Sequence, residues 1–79
     1  MFDLPGMDIK IKVGQRIKEL RKKLELSQEA LANEAEVDRT YVTDVENGRR
    51  NVSVEILERL IKALDVSIAE FFNGKEFKK

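Results

Sequence analysis

Residues 27–48, SQEALANEAEVDRTYVTDVENG, decide how the rest of the chain is read. Ser27 is placed to cap a helix whose opening turn holds Gln28 and Glu29. Leu31, Ala32 and Ala35 recur at helical spacing and give that helix one apolar face. Val37 falls in a short connection, and Asp38 is placed to cap a second helix over 39–47. Val42 and Val45 form the inner face of that second helix, and Gly48 stops it where a left-handed residue is needed. A small Ala32 allows the two helices to cross closely. The second helix then turns Arg39, Thr40, Tyr41, Thr43 and Asp44 outward. Hydrogen-bonding side chains on a rigid rod are what readout of the DNA major groove requires.

On these residues the chain resembles the Cro/phage-repressor helix-turn-helix family of DNA-binding regulators. Gln28, Ala32, Val37, Val42, Val45, Glu46, Asn47 and Gly48 carry the match. A narrower pattern, Asp38-Arg39-Thr40-Tyr41-Val42 with Val45-Glu46 and Arg49-Arg50-Asn51-Val52, resembles the controller proteins of restriction–modification systems. The resemblance implies an all-α fold of five helices, a dimer, and a palindromic operator in double-stranded DNA. It also implies phosphate contacts from Gln28 and Asn47, an Arg21–Glu46 ion pair (Arg21 read alone also suits a phosphate), and contact to base edges from Arg50. A phage-type repressor and an antitoxin that controls its own operon are alternatives within DNA binding. An adaptor that bridges proteins without specific DNA binding is an alternative of another class.

The remaining site residues follow from position. Arg39 opens the recognition helix, where it can donate to a guanine, and Thr40 can meet a thymine methyl. Tyr41 either contacts the backbone or packs at the rim. Asp44 either accepts from a cytosine or pairs with Arg39 or an arginine of the following loop. Arg49, Arg50 and Asn51 leave the helix on its DNA side and suit phosphate. Glu36 stands where a glycine is common in the family. A left-handed backbone there would strain the turn.

Outward from this centre, a first helix is expected over 12–24, with Val13, Ile17, Leu20 and Leu24 facing the core. A fourth is expected over 54–64, capped by Ser53, with Leu57, Leu60, Ile61 and Leu64 inward. Ser67 to Glu70 has the spacing of a capping box and opens a fifth helix over 67–73. Ile68, Phe71 and Phe72 are too many large apolar groups for so short a helix. One or two complete the core and the rest form the dimer face, for which Ile68, Phe71 and Phe72 are all candidates. Residues 1–11 are expected as a flexible arm, 12–73 as the domain and 74–79 as a charged tail.

The 79 residues suffice for one domain with one small core. The chain has no cysteine and no histidine. Disulfides, thiolate metal sites, the usual general base and nucleophilic triads are therefore excluded. No metal, cofactor, small-molecule ligand or enzymatic activity is expected. No apolar run approaches a membrane span, and no secretion signal is evident, so a cytoplasmic, bacterial or phage-encoded protein is the expectation. The formal net charge is zero and the pI 6.3, which weighs against a nucleic-acid binder. Distribution answers this in part: residues 10–23 and Arg49-Arg50 are basic, whereas Glu25, Glu29, Glu34 and Glu36 gather elsewhere.

Overall fold

Three serines start three of the helices. Ser27, Ser53 and Ser67 each accept a hydrogen bond from the backbone N–H three residues on, at 3.0, 3.2 and 3.0 Å. In the computed structural model, which describes residues 8–78, they open α2 (Gln28–Ala35), α4 (Val54–Ala63) and α5 (Ile68–Phe71). α1 spans Ile9–Lys23 and α3 spans Arg39–Glu46. A 3₁₀ turn, Lys75–Phe77, follows α5. The architecture is all-α, with five helices and no strand among the described residues.

Several boundaries differ from expectation. α1 begins at Ile9 because the Asp8 side chain accepts from the Ile11 N–H at 3.1 Å. Residues 9–11 therefore belong to the helix, and 1–7 of the expected arm lie outside the described residues. Asp38 occupies the N-cap position of α3 in extended geometry, but its side chain makes no capping hydrogen bond. Only half of the capping box forms, since the Glu70 carboxylate lies 3.6 Å from Arg16 instead of reaching back to Ser67. Leu24, expected inside, is the C-cap of α1 and is 45% exposed.

Three of the four connections between helices share one device. Glu25, Glu36 and Asp65 all adopt left-handed backbone, with φ of 58°, 60° and 62°. Each is followed by an apolar residue and then by the next helix's cap residue: Leu26-Ser27, Val37-Asp38 and Val66-Ser67. After α2 the Glu36 N–H bonds the Asn33 carbonyl, and the Val37 N–H bonds Ala32 at 2.9 Å. This is the Schellman arrangement, in which left-handed backbone turns two spare helix carbonyls onto donors. A side chain at such angles costs roughly 1–2 kcal/mol relative to glycine. Glu36→Gly should therefore stabilise the fold by zero to about 1 kcal/mol in urea unfolding, the relief being offset by a freer unfolded chain. A clear loss would mean that the Glu36 side chain makes a contact the fold needs.

The core gathers Val13, Ile17 and Leu20 of α1, Leu31, Ala32 and Ala35 of α2, and Val42 and Val45 of α3. Leu60 and Ile61 of α4, with Leu64 after it, and Phe71 of α5 complete it. Two features escape helical periodicity. A Cβ on Gly14 would lie 2.1 Å from the Val45 carbonyl oxygen, so the α1 and α3 backbones touch there and only glycine fits. Arg16, 4% exposed, donates from Nε to the Phe71 carbonyl and from Nη2 to the Glu70 carbonyl, both at 2.7 Å. α5 is a single turn: the Phe72 N–H reaches the Ile68 carbonyl and the Asn73 N–H the Glu70 carbonyl, and the buried guanidinium adds a donor to Glu70 and supplies one to Phe71 at the open C-terminal end. Arg59 does the same for α2, donating to the carbonyls of Ala35 and Glu36.

The segment read as a charged tail is partly structural. Phe77 packs with its ring centre 5.9 Å from that of Phe71 and 4.9 Å from that of Phe72. The same turn brings Glu76 against Glu19 of α1. The neighbouring Glu76 carboxyl, with Arg16, holds the Glu19 carboxyl below its ordinary range, while burial and Glu19 push Glu76 upward, its Oε1 being buried without a hydrogen-bond partner among the described residues. The Glu19 contribution exists above the ordinary carboxylate value and is lost as pH falls through its lowered value. The Glu76 contribution has the opposite sign: it exists below the ordinary value of 4.5 and is lost as pH rises through the raised one. Glu76→Gln should therefore stabilise the fold at pH 7, by less than about 1 kcal/mol for a half-buried group. The gain should vanish in acid. Unfolding curves at pH 4 and pH 7 check this, and an equal effect at both would dissociate it from titration.

Candidate nucleic-acid interface

α3 is held from three sides. Val42 and Val45 are fully buried beneath it, and the bare backbone of Gly14 lies against its last turn. Arg21 of α1 forks onto Glu46, with Nε 2.6 Å from Oε2 and Nη2 3.1 Å from Oε1. Arg21 Nη1 also donates to the Leu26 carbonyl at 2.8 Å. The Gln28 amide donates to Glu46 Oε1 at 3.0 Å, and its oxygen lies 2.9 Å from the Thr43 hydroxyl. That hydroxyl is also 3.1 Å from the Arg39 carbonyl, and its single proton serves one acceptor at a time. A connected path thus runs from the end of α1 through the start of α2 into the middle of α3. It fixes the pitch and rotation of α3 with side chains rather than with apolar contact alone.

This path engages two residues that the sequence placed at DNA. Gln28 and Thr43 are half-buried and internally bonded, although one Gln28 N–H remains to donate outward. Arg39 and Thr40 differ: both are exposed, and neither side chain makes a hydrogen bond or ion pair among the described residues. Tyr41 packs partly on the core, and the Arg50 guanidinium lies over its ring, 4.4 Å from the centroid. Asp44 pairs with the loop arginines, at 3.7 Å to Arg49 and 3.4 Å to Arg50, and not with Arg39. Asn47 is the C-cap of α3 rather than its last helical residue. It is exposed, as are Arg49, Arg50 and Asn51. Gly48 then takes left-handed backbone, φ 73°, with Ile11 packed where a side chain would go.

A second surface is apolar. Ile68 is 55% exposed and Phe72 39%. They border a hollow of about 330 Å³ together with Val54, Leu57 and Ile61 of α4. Phe71, counted with them from sequence as a dimer residue, is wholly buried in the monomer and cannot reach a partner. Its backbone is also tied to α1, since Arg16 donates to its carbonyl. Val54, 83% exposed, was missed as a surface group. Its signal was available, because it continues the α4 stripe one turn beyond Leu57. Arg16, Arg59 and Gly14 carried no comparable signal.

A helix-turn-helix family model matches residues 17–71 of this chain. The control protein C.MunI from Mycoplasma sp. is 46% identical over 70 residues, covering 87% of this chain and 95% of that protein. The chain belongs to the controller group of helix-turn-helix proteins. The crystal structure of the controller C.AhdI from Aeromonas hydrophila superposes with a TM-score of 0.77 at 48% identity, covering 80% of this chain and 96% of that one. The controller C.Esp1396I bound to a 25-base-pair operator gives a TM-score of 0.85 at 36% identity, covering 91% and 97%. Controller membership agrees with the residues that carried the resemblance, from Asp38 to Val42 and from Arg49 to Val52. Among the described residues no helix is long and apolar enough to cross a membrane, and no cluster of carboxylates is arranged to hold a metal.

Proposed function

We propose that this chain is a sequence-specific transcription regulator, a restriction–modification controller, that binds a palindromic operator as a homodimer. The observation that carries the reading is the contrast on α3. Its buried side and its Glu46 are locked, while Arg39 and Thr40 stand free at the end where base contacts concentrate. Arg39, Thr40, Tyr41 and Arg50 face base edges in this reading. Gln28, Asn47, Arg49 and Asn51 meet phosphate, and Thr43 supports the helix through Gln28. Ile68 and Phe72 form the two-fold interface, which sets two recognition helices about one DNA turn apart, ~34 Å. Similarity to controllers favours this over a phage repressor or an antitoxin. A chain without histidine or cysteine offers no ordinary catalytic base or nucleophile, so the role is regulatory rather than enzymatic, in the cytoplasm where the operator lies.

The test is selection of duplexes from a random library by the purified chain. An inverted repeat should emerge, and log affinity for it should fall linearly with log salt. Sedimentation should show a dimer, and Phe72→Glu should shift it toward monomer and weaken operator binding together. Recovered duplexes without a shared motif, or a chain that binds proteins and no DNA, would support the adaptor instead.

A further inference from the structure

Asp44 is the one carboxylate on the outer face of α3 between Arg39 and Glu46, and it lies among groups meant for a polyanion. Its two oxygens are divided, Oδ1 to Arg49 at 3.7 Å and Oδ2 to Arg50 at 3.4 Å. Arg50 is held twice, since its guanidinium also lies 4.4 Å above the Tyr41 ring. Its hydrogen bond to Asp44 uses Nη2, so its Nε and Nη1 donors stay uncommitted. Arg49 is held more loosely and is 65% exposed along its side chain.

We propose that Asp44 is a specificity-determining positioning residue: it clamps Arg50 against Tyr41 so that this arginine reaches base edges, and it penalises complexes held by phosphates alone. The inference rests on the reading of α3 as the DNA-reading helix. With Arg50 in the clamp, a guanidinium can keep Asp44 and still bond a base, because its five donors point in several directions. Its rotamer is then chosen before DNA arrives, and Asp44 stays neutralised beside the duplex. If Arg50 instead swings out to a phosphate, the Asp44 carboxylate keeps only the looser 3.7 Å pairing with the exposed Arg49 and stands half-neutralised next to a polyanion. The penalty falls on the unspecific complex and spares the cognate one. This is discrimination by an unfavourable contact in the wrong complex.

Asp44→Asn removes the charge and keeps the shape. Without DNA, relaxation of the arginine Nε–H groups should show Arg50 ordered in the native chain and Arg39, which has no partner, mobile. In the variant Arg50 should approach the mobility of Arg39. Equal mobility of the two in the native chain overturns the clamp. With DNA, the probes are the duplex selected by the native chain and a shuffled duplex of equal length. The variant should bind the shuffled duplex more tightly at low salt, with a salt slope steeper by up to about one unit per subunit. The ratio of selected to shuffled affinity should fall by up to about fivefold for each subunit. In an Arg50→Ala background, Asp44→Asn should leave that ratio unchanged. An equal shift on both duplexes, or full persistence of the effect without Arg50, overturns the proposal. So does a loss confined to one base pair, which would make Asp44 itself the reader. A native chain that binds selected and shuffled duplexes alike would instead remove the regulator reading before any variant is made, and the specificity role with it.

Discussion

Glu46→Ala should destabilise the fold by about 3–5 kcal/mol, the expected cost of breaking a buried ion pair from one side. The Glu46 side chain is 2% exposed and that of Arg21 11%. Removal of the carboxylate leaves a guanidinium desolvated with only the Leu26 carbonyl as acceptor, and it takes away the acceptor of one Gln28 N–H. Domains of this size are stable by only about 5–15 kcal/mol, so the loss should be visible directly in urea unfolding. The double replacement Arg21→Met with Glu46→Leu should recover most of the loss, because neither buried charge then remains. That recovery measures a coupling between residues that act as one unit. A single-variant loss below about 1 kcal/mol would show that water reaches and screens the pair. The double variant should nevertheless bind DNA less well than its stability suggests. The fork is what fixes the rotation of α3, and apolar groups cannot reproduce its geometry.

Arg39→Ala should cost about 1–3 kcal/mol per half-site, and up to twice that in a dimer, while relaxing preference at one base position in each half. The argument is positional. Arg39 opens α3, is exposed, and has no internal partner to give up, so its whole hydrogen-bonding capacity is available to a base. Gln28→Ala is the contrasting control. It should weaken selected and altered operators about equally, both because phosphate carries no sequence information and because Thr43 and Glu46 lose a bond. Its salt slope should barely move, since the residue is neutral. Arg49→Ala should lower the slope by about one unit per site if that residue meets a phosphate. Binding isotherms on the selected operator and a set of single-base changes, at several salt concentrations, separate these outcomes. A uniform loss for Arg39→Ala would make it a backbone contact and move readout to Thr40 or Arg50.

The sequence by itself determined what each segment does along its own axis. Serine caps, apolar positions three and four apart, and the crowded Glu36 turn are local signals, because capping, periodicity and backbone angle involve residues within one or two helical turns. The outer row of α3 was legible for the same reason: Val42 and Val45 dictate which side faces in. The repeat of acid, apolar residue and cap residue at three connections is present in the sequence too, at Glu25, Glu36 and Asp65, although only at Glu36 does the family resemblance point to a left-handed turn. Tertiary structure alone decided the rest. Gly14 is forced by a carbonyl on a helix some thirty residues away, and Arg16 by carbonyls more than fifty residues away. Whether Phe71 or Phe72 turns inward, whether Gln28 and Thr43 face DNA or each other, and which arginines Asp44 holds all depend on how helices cross. No periodicity encodes that crossing, because it is set by packing and hydrogen bonding between residues far apart in the chain.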